Sequence, residues 1–349
     1  MKKLSGFIII LLLSFSIHAK TVNLTDFGAN INDGQNDAPA LQSAINDLLQ
    51  SGGGTIIFPA GKIELQSAVG TGSTASYVNL RLLGDKGSEV AINADANTII
   101  FNFGNLNQVL FENLIFTGKT SDMAGAFYTD ADKLIQSNYV SKTVIRDCQF
   151  YGLGFNTALV HALGTDLLIE NSQIEGSRGN VGLVFAENNR GLIIRNSNFI
   201  DYANYKDRFL TKTFPVAGPW VKVRQEVQLN GNAMTAYPVT IDQVRFDEGS
   251  CVSVDVDNVA FVKVEGSNFN IYKQAGCMGI KLNRVTYAQI TQSSFGFSII
   301  DNPLLRVTNS GNVEAKGITL GNAVKSIEKD QSSNVSVQFC PDCRIKRIN

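Results

Sequence analysis

A short pattern that returns about every two dozen residues constrains this chain more than any other feature. It reads apolar, x, apolar, x, Asn or Asp, two further residues, then Phe or Ile. It occurs at Val109–Phe116, Thr143–Phe150, Leu167–Ile174 and Leu192–Phe199, and more loosely at Val239–Phe246, Val262–Phe269 and Ala288–Phe295. The last positions of successive copies are separated by 34, 24, 25, 47, 23 and 26 residues. Four of these intervals match one coil of a solenoid. The 34 is one coil plus an insertion, and the 47 is two coils or one coil with a long excursion. Period-two alternation within each copy is the mark of a strand. Strand and turn units repeating without an intervening helix cannot form a βαβ sheet, but they can wind into coils whose strands pair with the coils above and below. A β-sandwich would not repeat sequence at a fixed period. The expected fold is all-β, a single-stranded parallel β-helix.

That fold assigns roles to the repeat. Phe116, Phe150, Ile174, Phe199, Phe246, Phe269 and Phe295 stack inside, about 4.8 Å apart, the strand-pairing distance. Asn113, Asp147, Asn171 and Asn196 occupy a turn, where short polar side chains bond to backbone and tolerate left-handed φ/ψ.

Ahead of the repeat, residues 26–61 read as a turn-rich lead-in, one helix and a strand. Asp37 is placed to cap the helix, with Pro39 in its first turn. Leu41, Ala44, Ile45, Leu48 and Leu49 form one apolar face. Gly52–Gly54 end the helix, and Thr55–Phe58 is a strand stopped by Pro59. The run Asp26-Phe-Gly-Ala, Asp33-Gly, Asp37, Ala40-Leu-Gln-Ser-Ala-Ile45 and Gly52-Gly-Gly-Thr…Phe58-Pro-Ala-Gly61 resembles the opening of the pectate-lyase-superfamily right-handed parallel β-helix proteins. That superfamily includes polysaccharide lyases, glycoside hydrolases and phage depolymerases. The resemblance covers about 40 residues, with the coil pattern adding about 200, and it implies that the helix caps one end of the solenoid. It also implies a polysaccharide groove along one outward strand stack. A fold hosts many chemistries, so the reaction must be argued from the site.

Compartment and charge narrow the partners. Lys2 and Lys3 precede a short apolar run over residues 5–17, with Ala19 before a plausible cleavage point. The run is too short to span a bilayer, so it reads as a signal peptide and the mature chain is expected to be secreted or periplasmic, without membrane insertion. Without the two leader lysines, 28 basic residues face 31 acidic ones. A net of −3 argues against nucleic acid, whose phosphates need a basic surface. The organisation expected is signal peptide 1–19, cap 20–75, coils 76–325 with a loop excursion at 203–236, and a tail at 326–349.

Chemistry is sought on the strand Cys251-Val-Ser-Val-Asp-Val-Asp257. Its alternation puts Val252, Val254 and Val256 inside, with Cys251, Ser253, Asp255 and Asp257 outside. One coil later Asp255 stacks on Lys281 and Asp257 on Asn283. Carboxylates at i and i+2 share a face with Cα atoms about 6.6 Å apart. With Lys281 beside them, Asp255 and Asp257 suit an acid–base pair for hydrolysis. Alternatively they take a Ca²⁺ ion while Lys281 acts on a uronate, which suits elimination. An ordinary solvated Asp–Lys ladder is the plain structural alternative. In the excursion, Tyr205, Trp220, Lys222 and Arg224 form a candidate binding wall, since aromatic faces stack on sugars and cations pair with acidic groups. His161, the one histidine after the leader, is placed inward, in register with Val256 and Leu282. A Ser-His-Asp triad or a His-rich zinc site is therefore not expected. Arg344-Ile-Lys346 matches a tripeptide of polygalacturonase-like hydrolases, but their other signatures are missing.

Five cysteines in an exported chain invite pairing. Cys251 and Cys277 hold equivalent positions on adjacent coils, within disulfide reach. Cys340 and Cys343 close a local bridge, leaving Cys148 unpaired. The leading expectation is an enzyme cleaving an acidic extracellular or cell-wall polysaccharide by elimination or hydrolysis. The rivals are a non-catalytic glycan-binding or surface-structural β-helix, and a polysaccharide epimerase.

Overall fold

A computed structural model describes residues 19–71, 77–94, 98–120, 127–128, 132–176, 178–200, 218–226, 238–247, 251–271, 277–296, 302–321 and 326–348. Residues 1–18 of the expected signal peptide, and Tyr205, lie outside them. The described strands form three long sheets, one of 12 strands and two of 11, parallel throughout except that Phe127–Tyr128 pairs antiparallel with Ile115–Thr120 at the side of the second. The chain visits the sheets in turn, one strand of each per coil, so the protein is a right-handed parallel β-helix, as its repeat predicts. The first sheet runs from Lys20–Asn23 to Asn334–Gln338, the second from Gly61–Leu65 to Thr319–Leu320, and the third from Val69–Gly70 to Arg344–Arg347.

The internal stack is present. Phe246 lies 5.0 Å from Phe199 and from Phe269, and Phe269 lies 4.7 Å from Phe295, centroid to centroid and nearly parallel. From Glu112 to Thr319 the turn from first to second sheet is constant: two residues, the first at positive φ, as at Asn113 (57°), Asp147 (52°), Asn171 (50°) and Asn196 (50°). Serines in the second position knit neighbouring coils: Cys148 N donates to Ser172 Oγ at 3.2 Å, and Ser172 N donates to Ser197 Oγ at 3.1 Å.

The helix Ala38–Gln50 buries Leu41, Ala44, Ile45 and Leu48 against this core. Gln42 also covers the exposed edge of the third sheet, donating to Gly70 O and accepting from Gly70 N, both at 2.9 Å. Asp37 holds the N-cap position but makes no side-chain cap bond. Its carboxylate accepts Asn30 N and Glu64 N, each at 3.0 Å, tying the lead-in to the first coil, while Asn36 Oδ1 accepts Ala38 N.

Three expected boundaries change. Within the cap region, Gly54–Phe58 and Gly61–Leu65 are already rungs, paired with Asn79–Gly84 and Ser88–Ile92. The 47-residue interval is one coil: Val221–Arg224 is a regular rung between Val184–Glu187 and Val252–Asp257. The expected tail carries Ser326–Lys329, Asn334–Gln338 and Arg344–Arg347, which continue the sheets. These strands lack the Phe-ended motif, so the repeat does not reveal them.

Candidate functional site

The outward face of the third sheet carries two charged rows. One runs Gln136, His161, Phe185, Lys222, Asp255, Lys281, Arg306, Glu328, Lys346, each paired in register with the next. Beside it run Leu163, Glu187, Arg224, Asp257, Asn283 and Thr308. Period-two alternation holds these groups outward while Val221, Val223, Val254, Val256, Ile280 and Leu282 fill the core. A cleft of about 230 Å³ opens over the middle of the rows, lined by Lys222, Val223, Arg224, Asp255, Asp257, Lys281 and Asn283. Five of the seven residues assigned to the site from sequence thus meet in one place.

Within the cleft, Lys281 Nζ lies 3.4 Å from the Asp255 carboxylate. Arg284 grips Asp257 with two bonds, Nε to Oδ1 at 2.8 Å and Nη2 to Oδ2 at 2.5 Å, and Asn283 Nδ2 adds a third to Oδ1 at 2.9 Å. Burial alone would raise the Asp257 carboxyl, but the Arg284 fork, Asn283 and the nearby Arg224 outweigh it and hold the group below its usual range. Asp257 is therefore a fixed anion and cannot serve as a proton donor. Arg224 itself pairs with Glu226 at 2.7 Å.

The expected Ca²⁺ site does not fit these donors. Both Asp257 oxygens are occupied by a guanidinium, and the Lys281 ammonium stands over Asp255, where an ion would need free carboxylate oxygens. Among the described residues no cluster of three or more His, Cys, Asp or Glu is poised to hold a metal.

Three placements correct the sequence reading. Trp220 is 3% exposed, packs on Phe199 at 6.0 Å and donates Nε1–H to Asp247 O at 3.1 Å, so it offers no face to a sugar. It precedes a regular rung instead of sitting on a loop, and its side chain turns into the core. Ser253 is likewise buried, as the second residue of the strand Val252–Asp257. His161 is in the row of Asp255, not of Val256. Its coil has two residues, Gly164 and Thr165, between third-sheet and first-sheet strands, where the Asp257 coil has three. A one-residue difference in count reverses the inferred face.

Arg284 and Phe185 were missed. Arg284 sits at φ 53° in a turn position held by Asn258 and Asn309 in adjacent coils, and that departure from Asn is the available signal. The bridges Cys251–Cys277 and Cys340–Cys343 are present, and Cys148 is free and buried. The first bridge ties together the two rungs that carry Asp255, Asp257, Lys281 and Asn283.

No family model matches the sequence. No characterised protein matches it by sequence either. Among solved structures, the chain is similar to PfbA, a surface adhesin of Streptococcus pneumoniae, at a TM-score of 0.59 and 14% identity over 93% of each chain. It is also similar to the tailspike of E. coli bacteriophage HK620, solved with a pentasaccharide, at 0.56 and 12%, over 94% of this chain and 65% of that one. The A-module of the Azotobacter vinelandii mannuronan C-5 epimerase AlgE6 gives 0.50 and 12%, over 93% and 95%. These likenesses agree on the parallel β-helix fold. No described helix is long and apolar enough to cross a membrane.

Proposed function

We propose that the protein is exported and engages an acidic polysaccharide in the cleft of the third sheet, shortening it by elimination. The observation that carries this reading is the convergence of Lys222, Arg224 and Lys281 with Asp255, Asp257 and Asn283 on one rigid, outward ladder. Cations at fixed spacing suit the carboxylates of a uronate chain, and Asn283 offers an amide to hydroxyls. The pentasaccharide of the tailspike and the mannuronan of the epimerase lend glycans to the reading, and the leader-like segment 1–19 supplies the route of export.

Between the two cleavage chemistries, the charge pattern favours elimination. Hydrolysis needs one carboxyl group kept protonated as general acid, and the Arg284 fork removes Asp257 from that role. Elimination instead needs the uronate carboxylate neutralised and the C5 proton removed, with departure of the C4 oxygen leaving a C4–C5 double bond and consuming no water. Lys222 and Arg224 are assigned to neutralisation. Lys281, whose ammonium pairs with Asp255 in the free protein, is the candidate base as its neutral amine, after losing that proton to solvent, and the C5 proton it takes passes to the departing C4 oxygen. An epimerase would share the proton abstraction.

A second reading, a non-catalytic glycan binder, is favoured by one observation: both cleft aspartates are already tied to cations of the same site. Mass spectrometry of acidic and neutral polysaccharides after incubation with the mature protein separates the readings. Fragments one water lighter than their hydrolytic counterparts establish elimination, and fully hydrated fragments establish a hydrolase. Binding without fragments, unchanged in the Asp255→Ala/Asp257→Ala double variant, establishes the binder.

A further inference from the structure

Phe185 is an aromatic residue on the outward face of the third sheet, yet it is only 7% exposed. Its two faces are covered by the neighbouring rungs of its own row. On one side the His161 ring lies flat against it, centroids 4.8 Å apart and 6° from parallel. On the other the ammonium of Lys222 stands 5.6 Å from the ring centroid, within the range of a cation–π contact. His161 is itself clamped, with Nε2–H donating to Glu187 Oε2 at 3.0 Å. The other ring nitrogen, Nδ1, is buried without a partner among the described residues. A buried N–H there would have no acceptor, so the neutral Nε2–H tautomer is the one the surroundings accept.

We infer that Phe185, held flat by the His161–Glu187 pair, is a positioning residue that fixes the Lys222 ammonium at the upstream wall of the cleft for an anionic glycan. A free lysine side chain loses rotamer freedom when it engages a ligand. A lysine already docked on a ring has given up part of that freedom beforehand, which is how preorganisation adds affinity. The ring quadrupole attracts the ammonium but offers no hydrogen-bond acceptor, so its N–H groups remain available to a carboxylate.

This inference rests on the acidic-glycan reading, and its test keeps the two apart. The ligand-free arm is proton NMR of the Lys222 Hε protons, which the ring current should shift upfield in the parent and in Phe185→Tyr, and not in Phe185→Leu. The ligand arm is calorimetric titration with polymannuronate and polygalacturonate of the parent, Phe185→Leu, Phe185→Tyr and Lys222→Ala, each checked for an unchanged circular-dichroism spectrum. Phe185→Leu should weaken binding about three- to tenfold, the range a cation–π contact supports. Phe185→Tyr should restore it, and Phe185→Leu should have no further effect in a Lys222→Ala background. An absent upfield shift overturns the platform whatever binds. A shift that is present, with Lys222→Ala weakening binding but Phe185→Leu within twofold of the parent, overturns the positioning role alone. A shift that is present while Lys222→Ala leaves binding intact overturns Lys222 as the glycan cation, and with it both the role of Phe185 and that part of the functional reading.

Discussion

Cys251 and Cys277 join adjacent rungs across 26 residues of chain, with Cα atoms 4.4 Å apart. Replacing both by alanine should destabilise the rungs that carry the cleft, by an amount the loop length sets. Closing a loop of that size removes about 12 cal/mol/K of entropy from the unfolded chain, or about 3.5 kcal/mol at 25 °C. Trp220 supplies a local probe. It is the sole tryptophan, is buried, and donates its backbone N–H to Val252 O at 3.3 Å, one rung from the bridge. Urea unfolding followed by its fluorescence should therefore move to a midpoint about 1 M lower, taking a slope of about 3 kcal/mol/M. Circular dichroism followed in parallel reports whether the coils unfold together, which a solenoid need not do. The matching removal of Cys340–Cys343, three residues apart at the far end, should leave the Trp220 transition in place. A Cys251→Ala/Cys277→Ala transition within about 1 kcal/mol of the parent would refute the reasoning, because the coil contacts alone would then fix the cleft.

Phe269→Ala empties the centre of the aromatic stack and should cost about 3–5 kcal/mol in the same assay, with Phe269→Leu costing distinctly less. His161 is held below its ordinary value first by burial and then by Lys133, against the opposing pull of Glu187 and Asp132. The unfolded chain therefore binds the extra proton more readily, and stability should decline as pH falls below about 6.5. His161→Gln should flatten that part of the profile. The steeper loss below about pH 4, where the lowered carboxyls of Asp132, Glu170 and Asp257 finally take up protons, should remain. Burial pushes the Cys148 thiol up to about 12, so a thiol reagent should label it at the rate of unfolding and not before.

The sequence made the solenoid legible because each coil repeats both its apolar period and its turn. The phenylalanine row and the left-handed asparagines could be placed residue by residue from that repeat. Asp255 and Asp257 could be set against Lys281 and Asn283 because their two coils have equal connectors. The same arithmetic failed at His161, where one missing connector residue changes the face, and at Trp220, where a long interval concealed an ordinary rung. Arg284 and Phe185 act through neighbours in space that no periodicity announces. The strands after residue 326 carry no terminal Phe, and so lay outside the pattern being counted.

The two-residue turn between first and second sheets is the same length in every coil from Glu112–Ile115 to Lys316–Thr319. The connectors from second to third sheet vary, from three residues between Leu65 and Val69 to twenty between Ile200 and Val221. Along those coils one seam of the solenoid thus works as a gauge of fixed length, whereas nearer the cap it takes two residues at Phe58–Gly61 and three at Gly84–Ser88. The other seam lets the chain lengthen without disturbing register, and it borders the sheet that carries the charged cleft. A lineage of such chains can exchange whole segments at that border while inheriting the coil unchanged, and a designer grafting a new recognition loop would choose the same seam.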